Sequence, residues 1–174
     1  MKRRYLHIIL IIIIFLSGWS YKAIAQFSEA GVQKLEIPID APDFRLKDLS
    51  GGRVSLKELR GKIVILSFFT TWCPICSEEF FSFDKLREET KDKNIAFLKV
   101  AIKAKKEDLK KYEEFSPILI DESGSVAKAY GVKGHHETFF INREGKIVGN
   151  TFSEKDWTSM SIRNLIERLL VDDK

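Results

Sequence analysis

The chain contains two cysteines, Cys73 and Cys76, which are separated by two residues. A disulfide that only stabilises a fold usually closes a longer loop, because a short loop restricts the unfolded chain little. A pair with this spacing is typical of a redox-active dithiol or of a metal site. The chemistry predicted is therefore thiol–disulfide exchange, and metal binding by the same sulfurs is the alternative.

The elements around this pair predict different roles for the two thiols. Residues 63–69 are β-branched and aromatic with almost no polar interruption, which predicts a strand buried on both faces. Pro74 suits the first turn of a helix that follows. The N-terminus of that helix favours negative charge, so it stabilises the thiolate of Cys73. We expect Cys73 to attack a partner disulfide, and Cys76 to resolve the mixed disulfide.

The same helix has a predicted inner face and a predicted outer face. The spacing of Cys76, Phe80 and Phe83 directs them towards the core, whereas Glu78 and Glu79 are predicted to face solvent. Further strands are predicted at residues 95–102, 117–120, 137–142 and 147–151, and helices at 107–115, 125–130 and 154–170. This order predicts an α/β fold with a central mixed β-sheet flanked by helices.

The N-terminus resembles an export signal. Lys2, Arg3 and Arg4 precede an apolar run at residues 8–16, and Ala23-Ile24-Ala25 follows as a cleavage site. We therefore expect a signal peptide at 1–25, a polar lead at 26–39 and one domain at 40–172. The exported protein would be located in the periplasm or on the outer face of the cytoplasmic membrane. An uncleaved N-terminal anchor is the alternative to a soluble mature protein.

The charge of the chain gives no indication of nucleic-acid binding. The 174 residues carry a formal charge of +4, and the segment 1–25 holds four basic residues and no acidic ones. The rest of the chain has 25 basic and 25 acidic residues and is neutral. A basic surface for nucleic acid is therefore not predicted.

Several motifs occur in a fixed order along the chain. They are Ala41-Pro42-Asp43-Phe44, the Gly51-Gly52 turn, residues 56–62, residues 68–76, and residues 130–134 followed by 137–145. With these motifs the chain resembles the thioredoxin superfamily, and within it the exported TlpA/ResA/CcmG type. The resemblance implies a thioredoxin-like fold with an N-terminal β-hairpin extension.

It also implies a thiol-disulfide oxidoreductase without a cofactor. Its partners would be protein thiols or disulfides, with a membrane thiol reductase as electron donor, and the usual role is reductive, in cytochrome c maturation. Residues implied to contact the substrate lie on two loops and are Trp72, Pro74, His135, His136 and Glu137.

The sequence departs from the family at two positions. His136 stands where the family has a cis-proline facing the cysteines. Ser67 stands where thioredoxins often bury an acid beneath them, so the proton acceptor for Cys76 is unassigned, and Glu137 is a candidate. Because two thiolates and one imidazole suit a soft metal, Cys73, Cys76 and His136 form a candidate Cu(I) site.

Three other hypotheses concern His136 and the function as a whole. A protonated His136 would stabilise the thiolate of Cys73, or this histidine is an ordinary loop residue. Besides thiol–disulfide exchange and copper binding, a third candidate function is that of a redox-inactive interaction module. The presence of both cysteines argues against it. A peroxidase is set aside because Leu66 stands where peroxiredoxins need a proline.

Overall fold

The computed structural model describes residues 24–73, 76–115, 117–134 and 136–172. Most of the predicted signal peptide, Pro74 and His135 lie outside the described residues. No helix within these ranges has both the length and the apolar character needed to cross a membrane.

A single mixed sheet forms the centre of the described structure. Its strands lie in the order β1-β8-β7-β4-β5-β6-β2-β3. The pairs β4–β5 and β5–β6 are parallel and the other pairs are antiparallel. The predicted mixed sheet is therefore confirmed. The strands are β1 Gln33–Asp40, β2 Arg45–Asp48, β3 Arg53–Ser55, β4 Ile63–Phe69, β5 Ile95–Ile102, β6 Ile118–Asp121, β7 His136–Ile141 and β8 Lys146–Thr151.

Helices cover the sheet, as predicted. Residues 24–29 form α1. The others are α2 Cys76–Glu89, α3 Ser125–Ala129 and α4 Met160–Asp172, with 3-10 helices at Leu56–Leu59 and Lys106–Phe115. A crossover element is needed to connect parallel strands, and α2 serves this purpose between β4 and β5.

Strand β4 lies in the middle of the sheet and leads directly to the cysteines. All seven of its residues are buried. Ile63 and Ile65 pack in one hydrophobic cluster with α2 and α4, whereas Leu66 and Phe68 pack in another on the opposite face. This alternation follows from the two-residue period of a strand. It confirms the prediction of a strand buried on both sides.

The N-terminal hairpin is formed by β2 and β3 around Gly51 and Gly52. Gly51 has a φ of 93°, a left-handed conformation that glycine adopts without strain. Asp48 closes the turn by accepting hydrogen bonds from Gly52 N at 2.8 Å and Ser50 Oγ at 2.6 Å. Because β2 also pairs with β6, the hairpin extends the sheet at one edge.

The segment predicted as a polar lead is part of the fold. Phe27, Ala30 and Val32 are buried in the same cluster as Trp157, and β1 pairs with β8. The three apolar residues are too few, and too widely spaced among polar ones, to give a periodic pattern. Their burial depends on a cluster whose other members lie far along the chain.

The predicted start of the last helix is wrong. The sequence predicts a helix that starts at residue 154, but α4 begins at Met160. Asp156 Oδ1 instead accepts hydrogen bonds from the backbone N (2.9 Å) and the Oγ1 (2.6 Å) of Thr158. The side chain therefore closes a local turn, which leaves Trp157 in an irregular segment.

Candidate active site

A loop at the end of β4 carries the first cysteine. The carbonyl oxygen of Thr71 in this loop accepts hydrogen bonds from Tyr112 Oη at 3.2 Å and Lys111 Nζ at 3.1 Å. The ring of Tyr112 is buried and packs edge-on against Phe69 and Phe80. The 3-10 helix Lys106–Phe115 thus holds the loop in place, a role that the sequence alone did not indicate.

Cys73 and Cys76 are joined by a disulfide, with 5.5 Å between their Cα atoms. Both cysteines are buried, since Cys73 is 3% exposed and Cys76 1%. The adjacent Trp72 is 69% exposed. The surface beside the disulfide therefore carries a large aromatic side chain, and partner access to Cys73 is narrow.

His136 contacts the second cysteine. It is the first residue of β7 and lies opposite Phe69, the last residue of β4, in the register of the sheet. Its side chain is buried, and Nδ1 lies 3.6 Å from Cys76 Sγ. The sequence predicted that this residue faces the cysteine pair, and the structure places it against Cys76.

Glu79 lies behind this histidine. Its Oε2 is 3.0 Å from His136 Nε2, and its Oε1 accepts a hydrogen bond of 2.6 Å from Trp157 Nε1. The prediction that Glu79 faces solvent is wrong, since the residue is only 4% exposed. Residues three apart on a helix share a face, so its spacing from Cys76 was the one feature that could have placed it here.

Glu137 lies on the other face of the sheet. It pairs with Phe68, whose ring packs against Tyr130, and successive side chains of a strand point to opposite faces. Its carboxylate accepts a hydrogen bond from Asn150 Nδ2 at 3.0 Å. Burial raises the pKa of Glu137, and the bond from Asn150 opposes this. The hypothesis that Glu137 accepts the proton of Cys76 is therefore wrong.

The position beneath the cysteines is neutral, as the sequence indicates. Ser67 is buried and accepts a hydrogen bond of 3.0 Å from Thr138 Oγ1. Glu79 and His136 are thus the ionisable groups that the described contacts place behind Cys76.

No group of three or more His, Cys, Asp and Glu side chains within the described ranges is arranged to hold a metal ion. Both sulfurs are engaged in the disulfide, and His136 Nδ1 is adjacent to only one of them in the described contacts. Copper binding by Cys73, Cys76 and His136 therefore stays a prediction for the reduced protein.

The comparisons with known proteins agree with this site. The sequence matches the AhpC/TSA family over residues 37–149. It is 32% identical over 154 residues to the thiol-disulfide oxidoreductase ResA of Bacillus cereus, covering 85% of this chain and 88% of the relative. The thioredoxin-like protein YneN of Bacillus subtilis is 34% identical over 147 residues, covering 80% and 84%.

A solved structure shares the fold as well. A thiol:disulfide interchange protein DsbE from Chlorobium tepidum superposes with a TM-score of 0.70 at 27% identity, covering 78% of this chain and 99% of that one. The predicted thioredoxin-like fold is confirmed. The chain therefore belongs to the AhpC/TSA family of the thioredoxin superfamily, as a TlpA/ResA/CcmG-like thiol-disulfide oxidoreductase with Cys73 and Cys76 as its redox pair.

Proposed function

We propose that this oxidoreductase is exported and reduces disulfides of other exported proteins, in the manner of cytochrome c maturation. One observation supports this function most directly: the Cys73–Cys76 disulfide lies where the central strand β4 meets the start of α2, beside the exposed Trp72. Relatives named thiol-disulfide oxidoreductase ResA support the same reaction.

The reaction has two steps. The thiolate of Cys73 attacks the partner disulfide, forming a mixed disulfide and releasing one partner thiolate. Cys76 then attacks Cys73, which forms the intramolecular disulfide and releases the second partner thiol. Two electrons pass from the dithiol to the partner, and a reducing dithiol protein, such as a membrane thiol reductase, restores the starting state.

The residues around the pair provide a surface for an extended partner segment. Trp72 offers an exposed ring, and the resemblance assigns Pro74, His135, His136 and Glu137 to the two segments that the family uses for substrate. This substrate-binding role comes from the resemblance. His136 is buried and Glu137 lies on the opposite face of the sheet, so Trp72 is the described side chain best placed to contact a partner.

The proposal of export rests on the basic and apolar N-terminal sequence. The mature protein is expected to begin at Gln26, which would leave Phe27 at its place in the core. Mass spectrometry of the exported protein measures the first residue. A chain that still carries Met1 would instead indicate an N-terminal anchor.

Activity is tested on a disulfide peptide that contains two cysteines separated by two residues and followed by histidine, the haem attachment pattern. The reduced full chain should reduce this peptide faster than glutathione disulfide. Cys76→Ser should trap the peptide on Cys73, and Cys73→Ser should trap nothing. Trapping through Cys76 would contradict the assigned roles, and equal rates for the peptide and glutathione would contradict the preference for such protein substrates.

Cu(I) binding is a second candidate function. The contact between His136 Nδ1 and Cys76 Sγ favours it, because it brings a nitrogen donor next to a sulfur donor. Competition of the reduced protein with a Cu(I) chelator under anaerobic conditions tests it. A chelator that retains all the copper would eliminate this function.

A further inference from the structure

We propose that His136 exchanges a proton with Cys76 during disulfide exchange and that Glu79 positions its ring, so that the three residues work as a Cys–His–Glu relay. This inference rests on the proposed function, because it concerns the second step of the same reaction. It assigns the proton acceptor that neither Ser67 nor Glu137 supplies.

The first observation is the contact between His136 and the sulfur. Nδ1 lies 3.6 Å from Cys76 Sγ, within hydrogen-bond distance for a sulfur atom, and both groups are buried. A resolving thiol has to lose its proton before it attacks, since the thiolate is the nucleophile. In a buried site, an adjacent imidazole nitrogen can take this proton without solvent.

The second observation is the contact between His136 and Glu79. Nε2 and Oε2 are 3.0 Å apart, within ion-pair distance, although the ring N–H is not aligned as a regular hydrogen bond. In the reduced protein, where Cys76 carries a thiol proton, a carboxylate at this distance favours a proton on Nε2, which leaves Nδ1 able to accept the proton of Cys76. A nucleophile, a base and a group that orients the base are the three parts of an activated-nucleophile site.

The position of Glu79 is itself fixed. Trp157 Nε1 donates a hydrogen bond to Oε1, the oxygen that does not face His136. The two carboxylate oxygens therefore have different partners from different parts of the chain. A buried carboxylate held in this way can stabilise a positive charge on His136 when Nδ1 gains a proton.

Other charged groups near the relay are few among the described residues. Cys76 faces His136 from the start of α2, and Glu79 faces it from the next turn of α2. Lys155, in the segment before α4, interacts electrostatically with Glu79. Glu137, the neighbour of His136 in β7, points to the other side of the sheet and takes no part.

In the mixed disulfide, the proton of Cys76 moves to His136 Nδ1, and the resulting thiolate attacks Cys73 Sγ. The Cys73–Cys76 bond forms, the bond from Cys73 to the partner sulfur breaks, and the partner leaves as a thiolate that takes a proton from the imidazolium or from water. When a reducing dithiol regenerates the site through Cys73, Cys76 leaves as a thiolate and regains its proton from His136.

The experiment separates the two steps with a chromogenic disulfide, dithiobis(nitrobenzoate). The reduced full chain should release one thionitrobenzoate when Cys73 attacks and a second when Cys76 resolves. His136→Asn keeps a side chain of similar shape but cannot accept the proton. It should slow the second release by about 100-fold at neutral pH and leave the first unchanged, since general base catalysis contributes roughly 10² to 10⁴.

The pH profile distinguishes proton transfer from a structural role. In the wild type the second release should level off as the pH rises, because proton transfer to His136 replaces transfer to solvent. In His136→Asn it should keep rising with pH as bulk solvent deprotonates the thiol. Glu79→Gln should slow the second release as well, whereas the matched Glu78→Gln, which changes an exposed carboxylate one residue away, should leave it unchanged.

Circular dichroism in the aromatic region shows whether each variant is folded. If one of them is not, the pH profile of the second release in the wild type still tests the relay. Equal second-phase rates and equal pH profiles in wild type and His136→Asn would overturn the relay and leave the proposed function intact. If the two wild-type thiols react independently and no Cys73–Cys76 disulfide forms, the proposed function itself fails.

Discussion

The bond between Trp157 and Glu79 should be a strong stabilising interaction of this fold. Trp157 is fully buried, and its Nε1 donates to a buried carboxylate at 2.6 Å. A hydrogen bond to a charged group contributes about 1.5–3 kcal/mol to stability, roughly twice the value for a neutral pair. Because the indole also packs edge-on against Phe83, its replacement by Phe should add a cavity cost.

A double-mutant cycle separates these two contributions. Trp157→Phe and Glu79→Met are made singly and together, and the free energy of unfolding of each oxidised protein is measured in urea. The cavity cost occurs in both backgrounds, so it cancels in the coupling energy. We expect a coupling of about 1.5–3 kcal/mol.

Trp72→Phe serves as the control, because the side chain of Trp72 is exposed. It should change the free energy of unfolding by no more than about 0.5 kcal/mol. A coupling energy below about 0.5 kcal/mol, the range within which independent sites add, would refute the claim that Trp157 holds Glu79 in place.

Three further predictions concern the elements around the site. Phe27→Ala should lower the free energy of unfolding in urea by about 3–5 kcal/mol, because Phe27 is buried in the hydrophobic cluster that contains Trp157 and residues of α4. A loss below about 1 kcal/mol would show that the N-terminal segment is not part of the cooperative fold. Burial lowers the pKa of Lys99 to about 8, although Asp84 opposes this. The unfolded state therefore binds more protons between about pH 8 and 10.5, and the free energy of unfolding should gain up to about 3 kcal/mol over that range. Lys99→Met should not show this gain. If the free energy of unfolding rises equally with pH in the wild type and in Lys99→Met, the prediction is contradicted. Tyr112→Phe should lower the free energy of unfolding in urea by about 1 kcal/mol, because it removes the hydroxyl that donates a hydrogen bond to the carbonyl oxygen of Thr71. An unchanged free energy of unfolding would mean that Lys111 holds the loop alone.

The parts of the structure that sequence reasoning predicted correctly have local causes. The apolar run of β4 has no other stable location than the middle of a sheet, and the short spacing of the cysteines permits a disulfide regardless of the rest of the chain. The Gly51-Gly52 turn likewise depends on backbone freedom at one glycine and on a side chain three residues before it. Such features are determined within ten residues of sequence.

The errors arise where a distant segment changes the environment of a residue. Helical periodicity assigns Glu79 to the solvent side, since a carboxylate there needs no partner. The structure buries it because Trp157 and His136, which lie 78 and 57 residues further along the chain, supply a donor and an ion-pair partner. Phe27 is a second example, since it is buried in the same cluster as Trp157, which lies 130 residues further along the chain. No window of sequence contains both members of these pairs.

The presence of His136 where the family has proline is best understood together with the burial of Glu79. The register of β7 against β4 places the residue at this position beside Cys76, whatever its side chain. Proline there would offer no partner to the oxygen of Glu79 that faces it, so the carboxylate would depend on Trp157 alone. With histidine, both oxygens have a partner and the ring still presents a nitrogen to the sulfur. The departure from the family therefore places an imidazole between the redox pair and a buried acid, and a slower resolution step in His136→Asn is its expected consequence.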